Sequence, residues 1–210
     1  MPSEYEPLFT STRTGEDDLE PVRDRFRAAS QPFLRSPWSW LAWSLVLPAA
    51  ALVTPLALQA GGFAYGLFLW SGSILLGGAV EMLALFRSGG ATRSTPLAAW
   101  VLRLQGNLSL VAAALSIFLL WQDMAWALPG LWLLLLGHSF YMLGGLAFEP
   151  FRVCGLLFQL GGAAALWPGL DPLPVFAVAA FLGNLWMAVG VWREREAEER
   201  TSRTSRTPRT

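Results

Sequence analysis

Apolar residues along this chain come in long unbroken blocks. They show neither the strict alternation of a half-buried strand nor the single apolar stripe of a surface helix. From Trp38 to Trp192 the only charged residues are Glu81, Arg87, Arg93, Arg103, Asp123, Glu149, Arg152 and Asp171. The blocks between them are long enough to cross a hydrocarbon core of about 30 Å as helices. Turn signals and charges divide them into six predicted spans: 40–58, 63–85, 97–120, 127–148, 152–167 and 173–192. "LQAGG" (58–62) reads as a tight turn and "RSGGATRSTP" (87–96) as a polar loop. "WQDMAW" (121–126) sets Asp123 between two tryptophans suited to headgroup level. "FEPFR" (148–152) ends one helix before Pro150 and restarts the next, and "WPGLDPLP" (167–174) cannot continue a helix.

The expected fold is an all-α integral membrane protein, with six transmembrane helices arranged as three tandem hairpins. Three regions follow: a polar N-terminal segment (1–37), the six-helix domain (38–192) and a charged, flexible tail (193–210). No short apolar segment with a small-residue cleavage site follows Met1, so the first apolar block reads as a retained helix. Charge adds an orientation. All 15 basic residues are arginine. In a six-span layout they fall on one side, in 1–37, 87–96, 148–152 and 193–210, with Arg103 near the start of the third span. The positive-inside rule then predicts two cytoplasmic termini, in a bacterial inner membrane. Composition agrees, with 54% hydrophobic and 14% charged residues where a soluble domain carries about a quarter charged. Cys154 is the only cysteine, which excludes an intrachain disulfide.

The predicted hairpins share sequence. Each first half holds Ala-Ala-Ala-Leu (49–52, 112–115, 163–166), and each second half holds a leucine and a glycine at one spacing (Leu69 and Gly77, Leu136 and Gly144, Leu182 and Gly190). "LGHSFYMLG" (136–144) parallels "LGNLWMAVG" (182–190), which aligns His138 with Asn184. Glycines Gly77, Gly78, Gly137, Gly144, Gly145, Gly183 and Gly190 are the expected packing positions. Lipid gives helices no hydrophobic reason to associate, so close van der Waals contact must supply it.

Polar residues inside the spans are few, and each is a candidate site: Glu81, Asn107, His138, Glu149 and Asn184. His138 has three readings. It is a neutral imidazole bonded across helices to a hydroxyl, Asn107 or Asn184; part of a proton or solute path ending at Glu149; or the ligand of a pigment or haem. Glu81 and Glu149 lie near arginine-bearing helix ends, where ion pairs with Arg87, Arg103 or Arg152 would pin the ends together. In the tail, Arg203, Arg206 and Arg209 suit anionic lipid headgroups or an acidic partner; nucleic acid would require more positive charge. No HExxH, G-x-S-x-G or lysine-bearing phosphate loop occurs, so neither an enzyme nor a metal site is expected.

These features predict an accessory, structural or assembly subunit of a larger membrane complex, in contact with lipids and with other membrane subunits or itself. The alternative is a small channel or transporter for a solute such as a monocarboxylate. The glycine-rich second span ending in Glu81 resembles the six-helix acetate and succinate transporter family, whose N-terminal Asn-Pro-Ala-Pro-Leu-Gly motif is absent here. The hairpin pattern with "LWPG" (166–169) is similar to acid-resistance membrane proteins with repeated hairpins. Neither likeness transfers a site residue.

Overall fold

The computed structural model describes residues 36–87, 96–144 and 148–206, with Leu85, 96–102, Glu198 and 201–206 described as backbone only. It is all-α: α1 (Pro37–Arg87), α2 (Pro96–Trp121), α3 (Leu128–Gly144), α4 (Glu149–Ala165) and α5 (Pro172–Arg206), with a short 3₁₀ turn at Ala125–Ala127. Four segments are long and apolar enough to cross a membrane: Pro37–Ala84, Arg103–Trp121, Ala125–Gly144 and Pro172–Ala197. The chain is a multi-span, all-α membrane protein.

The expectation of six membrane helices in three hairpins is overturned by this count of five helices, four of them spans, among the described residues. Two physical causes account for it. The first two expected spans fall in one helical element of 51 residues, which kinks at Gly61 and Gly62, where the backbone leaves helical geometry. Gly62 takes a positive φ of 63° that costs a glycine little. The element doubles back there, because the Trp43 indole donates to Glu81 (3.4 Å) and the Trp70 indole donates to the Thr54 hydroxyl (3.0 Å). Second, the expected fifth span is α4, of only 17 residues. At 1.5 Å per residue it is about 26 Å long and carries Glu149, Arg152 and Gln159. The argument that put both termini on one side counted six spans, a count this structure does not show.

Two turns are built by local chemistry. Trp167–Leu170 closes with the Leu170 amide donating to the Trp167 carbonyl (3.2 Å), Gly169 holding a φ of 89° after Pro168. That is the proline–glycine order of a type II turn. Asp171 then accepts from the Leu173 amide (3.1 Å) as an N-cap ahead of Pro172. At the same end of the domain, α2 stops where Asp123 takes a φ of 57° and the Met124 amide bonds back to Leu119 (2.8 Å). This left-handed residue after a helix, with its long backward bond, is a Schellman stop.

Packing runs from α1 to α5, α5 to α4, α4 to α3 and α3 to α2. Glycines set the closest approach, between α3 and α4. A Cβ on Gly137 would lie 2.7 Å from the Gly155 carbonyl oxygen, and one on Gly162 would lie 2.9 Å from the Gly130 carbonyl oxygen. Gly130, Gly137 and Gly144 follow one another at heptad spacing, which keeps them on one side of a shallow crossing. The core is aromatic and small by turns. Phe140, Phe151 and Trp40 meet edge-on or tilted at 5.6–5.9 Å, while Ala51, Ala177 and Ala180 let α1 and α5 close up around Phe176 and Met187.

Candidate functional site

The structure distributes the sequence-predicted polar residues over separate surfaces. Asn184 is buried in α5, where its amide donates to the Ala180 carbonyl of its own helix (2.7 Å). That bond satisfies the amide locally. His138 and Asn107 face outward instead, on α3 and α2. The two positions aligned in sequence, His138 and Asn184, thus occupy opposite environments. Glu81 is half-buried near the end of α1, beside Trp43. Glu149 lies on the surface and pairs loosely with Arg152 one turn on (3.8 Å); the Arg152 guanidinium also lies over the Tyr141 ring at 5.5 Å.

Gly77 lies under the Trp43 ring, Gly144 against the Arg152 backbone, Gly183 against Phe158 and Gly190 against Pro150. Gly78 faces open space. Gly145 and Arg209 lie outside the described residues, and so do the side chains of Arg203 and Arg206. α5 itself continues as helix through Arg206.

Several polar contacts were not singled out from the sequence. The Ser139 hydroxyl donates to the Gln105 side-chain oxygen (2.7 Å), linking α3 to α2. Further along the same pair, the Trp132 indole donates to the Ser116 hydroxyl (3.1 Å), which itself donates to the Ala112 carbonyl (2.7 Å). α1 repeats this arrangement. The Trp70 indole donates to Thr54, whose hydroxyl donates to the Ala50 carbonyl (2.7 Å), and the tryptophan follows the hydroxyl by 16 residues in both cases. The available signal was a Ser or Thr four residues after an alanine, followed by a tryptophan across a turn. Such a hydroxyl can bond its own helix and still accept from a neighbouring one.

These bonds fix the antiparallel register of α2 and α3. Gln105 lies opposite Ser139, so Asn107 and His138 lie at the same level on neighbouring helices, both outward. α2 is the least covered of the spans, with 6% of its apolar window buried against 50% for α5. Its exposed residues include Leu110, Ile117 and Phe118.

The remaining buried oddity is the Trp40 indole N–H. It is enclosed and has no hydrogen-bond acceptor among the described residues, and the ring meets Phe140 and Phe151 edge-on. A ring face is a weak acceptor, in keeping with a group held in an aromatic cluster. Among the described residues no group of three or more His, Cys, Asp or Glu side chains converges as a metal site. A pigment or haem ligated by His138 would lie on the outer surface of the chain and not inside the bundle. No protein-family model, curated protein or solved structure matches the chain.

Proposed function

We infer that this protein is a non-catalytic accessory, structural or assembly subunit of a larger membrane complex, in a bacterial inner membrane. One observation carries the reading: the polar residues of the spans do not converge. Asn184 is spent on its own helix, Glu81 stands beside Trp43 on α1, and Asn107 and His138 look away from the bundle. A solute path would require such groups to line a common interior. Outward polar groups on apolar helices, together with a barely covered α2, suit a surface completed by other protein.

Solubilisation in a mild detergent followed by native mass spectrometry tests it. The expected result is a species of fixed stoichiometry in which this chain is joined to at least one distinct membrane protein. Proton-coupled uptake of a monocarboxylate by liposomes containing the pure chain, lost in Glu81→Gln or His138→Ala, would overturn the reading in favour of a transporter.

A further inference from the structure

We propose that the acidic stretch 16–20 of this chain docks on the arginine-bearing end of α5, so that the N- and C-terminal segments clasp one another outside the membrane. This clasp goes beyond the subunit reading above and does not depend on it. Side-chain contacts bring the two ends together. Trp40, one turn into α1, meets Phe151 near the start of α4 at 5.8 Å. On α5, a Cβ on Gly190 would lie 2.8 Å from Pro150 of that same α4 turn. The entry of α1 and the exit of α5 are therefore level, and the two helices pack on each other.

From that level α5 runs on into water. Arg193 is its first charged residue, and the helix continues to Arg206. At 1.5 Å per residue, Arg203 and Arg206 stand about 15–20 Å further along the axis than Arg193. Headgroups occupy only about 5–8 Å on each side of the hydrocarbon core, and an ordinary tilt of about 20° shortens the projection little. The helix thus carries both arginines past the reach of anionic lipid. Its base is braced: the Trp192 indole donates to Glu196 (2.7 Å), and Arg200 pairs with the same side chain (3.8 Å). After Glu199 no acidic residue follows, only Arg200, Arg203, Arg206 and Arg209. Arg203 and Arg206 are about 60° apart round the helix, so they share one side of it.

The complementary charge lies in the same chain. Glu16, Asp17, Asp18 and Glu20 fall within five residues that contain no basic side chain. The chain from Asp18 to Pro37 can extend to about 65 Å, roughly three times the rise of about 20 Å from Gly190 to Arg203. Exposed ion pairs are individually weak and hold a separate partner poorly. A segment joined to the same domain meets its site at an effective concentration in the millimolar range, which offsets that weakness.

Electron paramagnetic resonance distances between spin labels at Leu19→Cys and Ser205→Cys test this, in a Cys154→Ser background with one full chain per phosphatidylcholine nanodisc. The native charges should give a narrow short-distance population. It should fall roughly threefold between about 0.05 M and about 1 M salt, as screening weakens the pairs. Arg203→Glu with Arg206→Glu should abolish it, and adding Asp17→Arg with Asp18→Arg should bring much of it back. A folding defect would not be repaired by that exchange. The short population should also persist in nanodiscs that contain phosphatidylglycerol. A broad distribution indifferent to salt and charge reversal overturns the proposal. Loss of the short population in phosphatidylglycerol also overturns it, by assigning the arginines to lipid. Either failure leaves the subunit reading standing, since that reading is tested by co-purification with another membrane protein.

Discussion

Gly137 and Gly155 sit where a single added methyl group is felt by a backbone. A Cβ at Gly137 would press on the Gly155 carbonyl at 2.7 Å and on the Gln159 amide nitrogen at 2.8 Å. A backbone that is part of a helix cannot step aside as a flexible side chain would. Gly137→Ala should therefore cost about 1–3 kcal/mol, the range of overpacking in a well-packed interior. Gly72→Ala, with nothing within 4 Å, should be neutral or stabilise by up to about 1 kcal/mol through helix propensity. Reversible unfolding of the refolded protein by SDS in mixed micelles separates the two outcomes. Cys154 gives a second check at this scale. It is fully buried between helices, so a maleimide should leave the folded chain unlabelled and react once the chain is denatured. Rapid labelling of the folded protein would place α4 away from its observed neighbours.

At the scale of the elements, what the sequence made legible was local chemistry. Pro168-Gly169 and the Asp171 cap each act within a few residues, so "WPGLDP" could be read as a break between helices and is one. Both ends of α2, and the starts of α3 and α5, fall close to their predicted positions for the same reason. The number of elements was not legible. Hydropathy registers apolar length, and it did not distinguish the 51-residue element that kinks at Gly61–Gly62, or the 17-residue α4, from ordinary spans. The direction each residue faces was not legible either. Helices apolar all round carry no periodic stripe to distinguish inside from outside, so nothing in the sequence separated exposed His138 from buried Asn184. Interhelical hydrogen bonds resolve such facings, and the α2–α3 tether can be measured. In a double-mutant cycle, Gln105→Leu and Ser139→Ala should couple by about 0.6 kcal/mol and no more than about 1.7 kcal/mol, the range of side-chain bonds between membrane helices. A coupling near zero by SDS unfolding would mean that the tether contributes nothing to joining α2 to α3.

Over the whole molecule, stability and surface are divided unevenly. α5 lies between α1 and α4, α4 meets α3 through glycines, and α2 packs chiefly on α3 at the edge. Phe158 is central to this order. It is buried in α4, packs on Phe140 of α3 at 5.7 Å, and fills the space left by Gly183 of α5. Its removal leaves a cavity bordered by three helices, which packed backbones cannot fill by collapse. Phe158→Ala should therefore cost about 3–5 kcal/mol. Ile117 on α2 is 70% exposed, and in the isolated chain it exchanges lipid or detergent contacts for more of the same. Ile117→Ala should change the stability of the isolated chain by less than about 0.5 kcal/mol. The comparison also separates fold from assembly. If α2 completes its packing only in a larger assembly, Ile117→Ala should be silent in the dilute detergent-solubilised monomer and should lower the thermal stability of the assembled form extracted from membranes. An equal effect in both states would mean that α2 is as fully packed within one chain as it ever becomes.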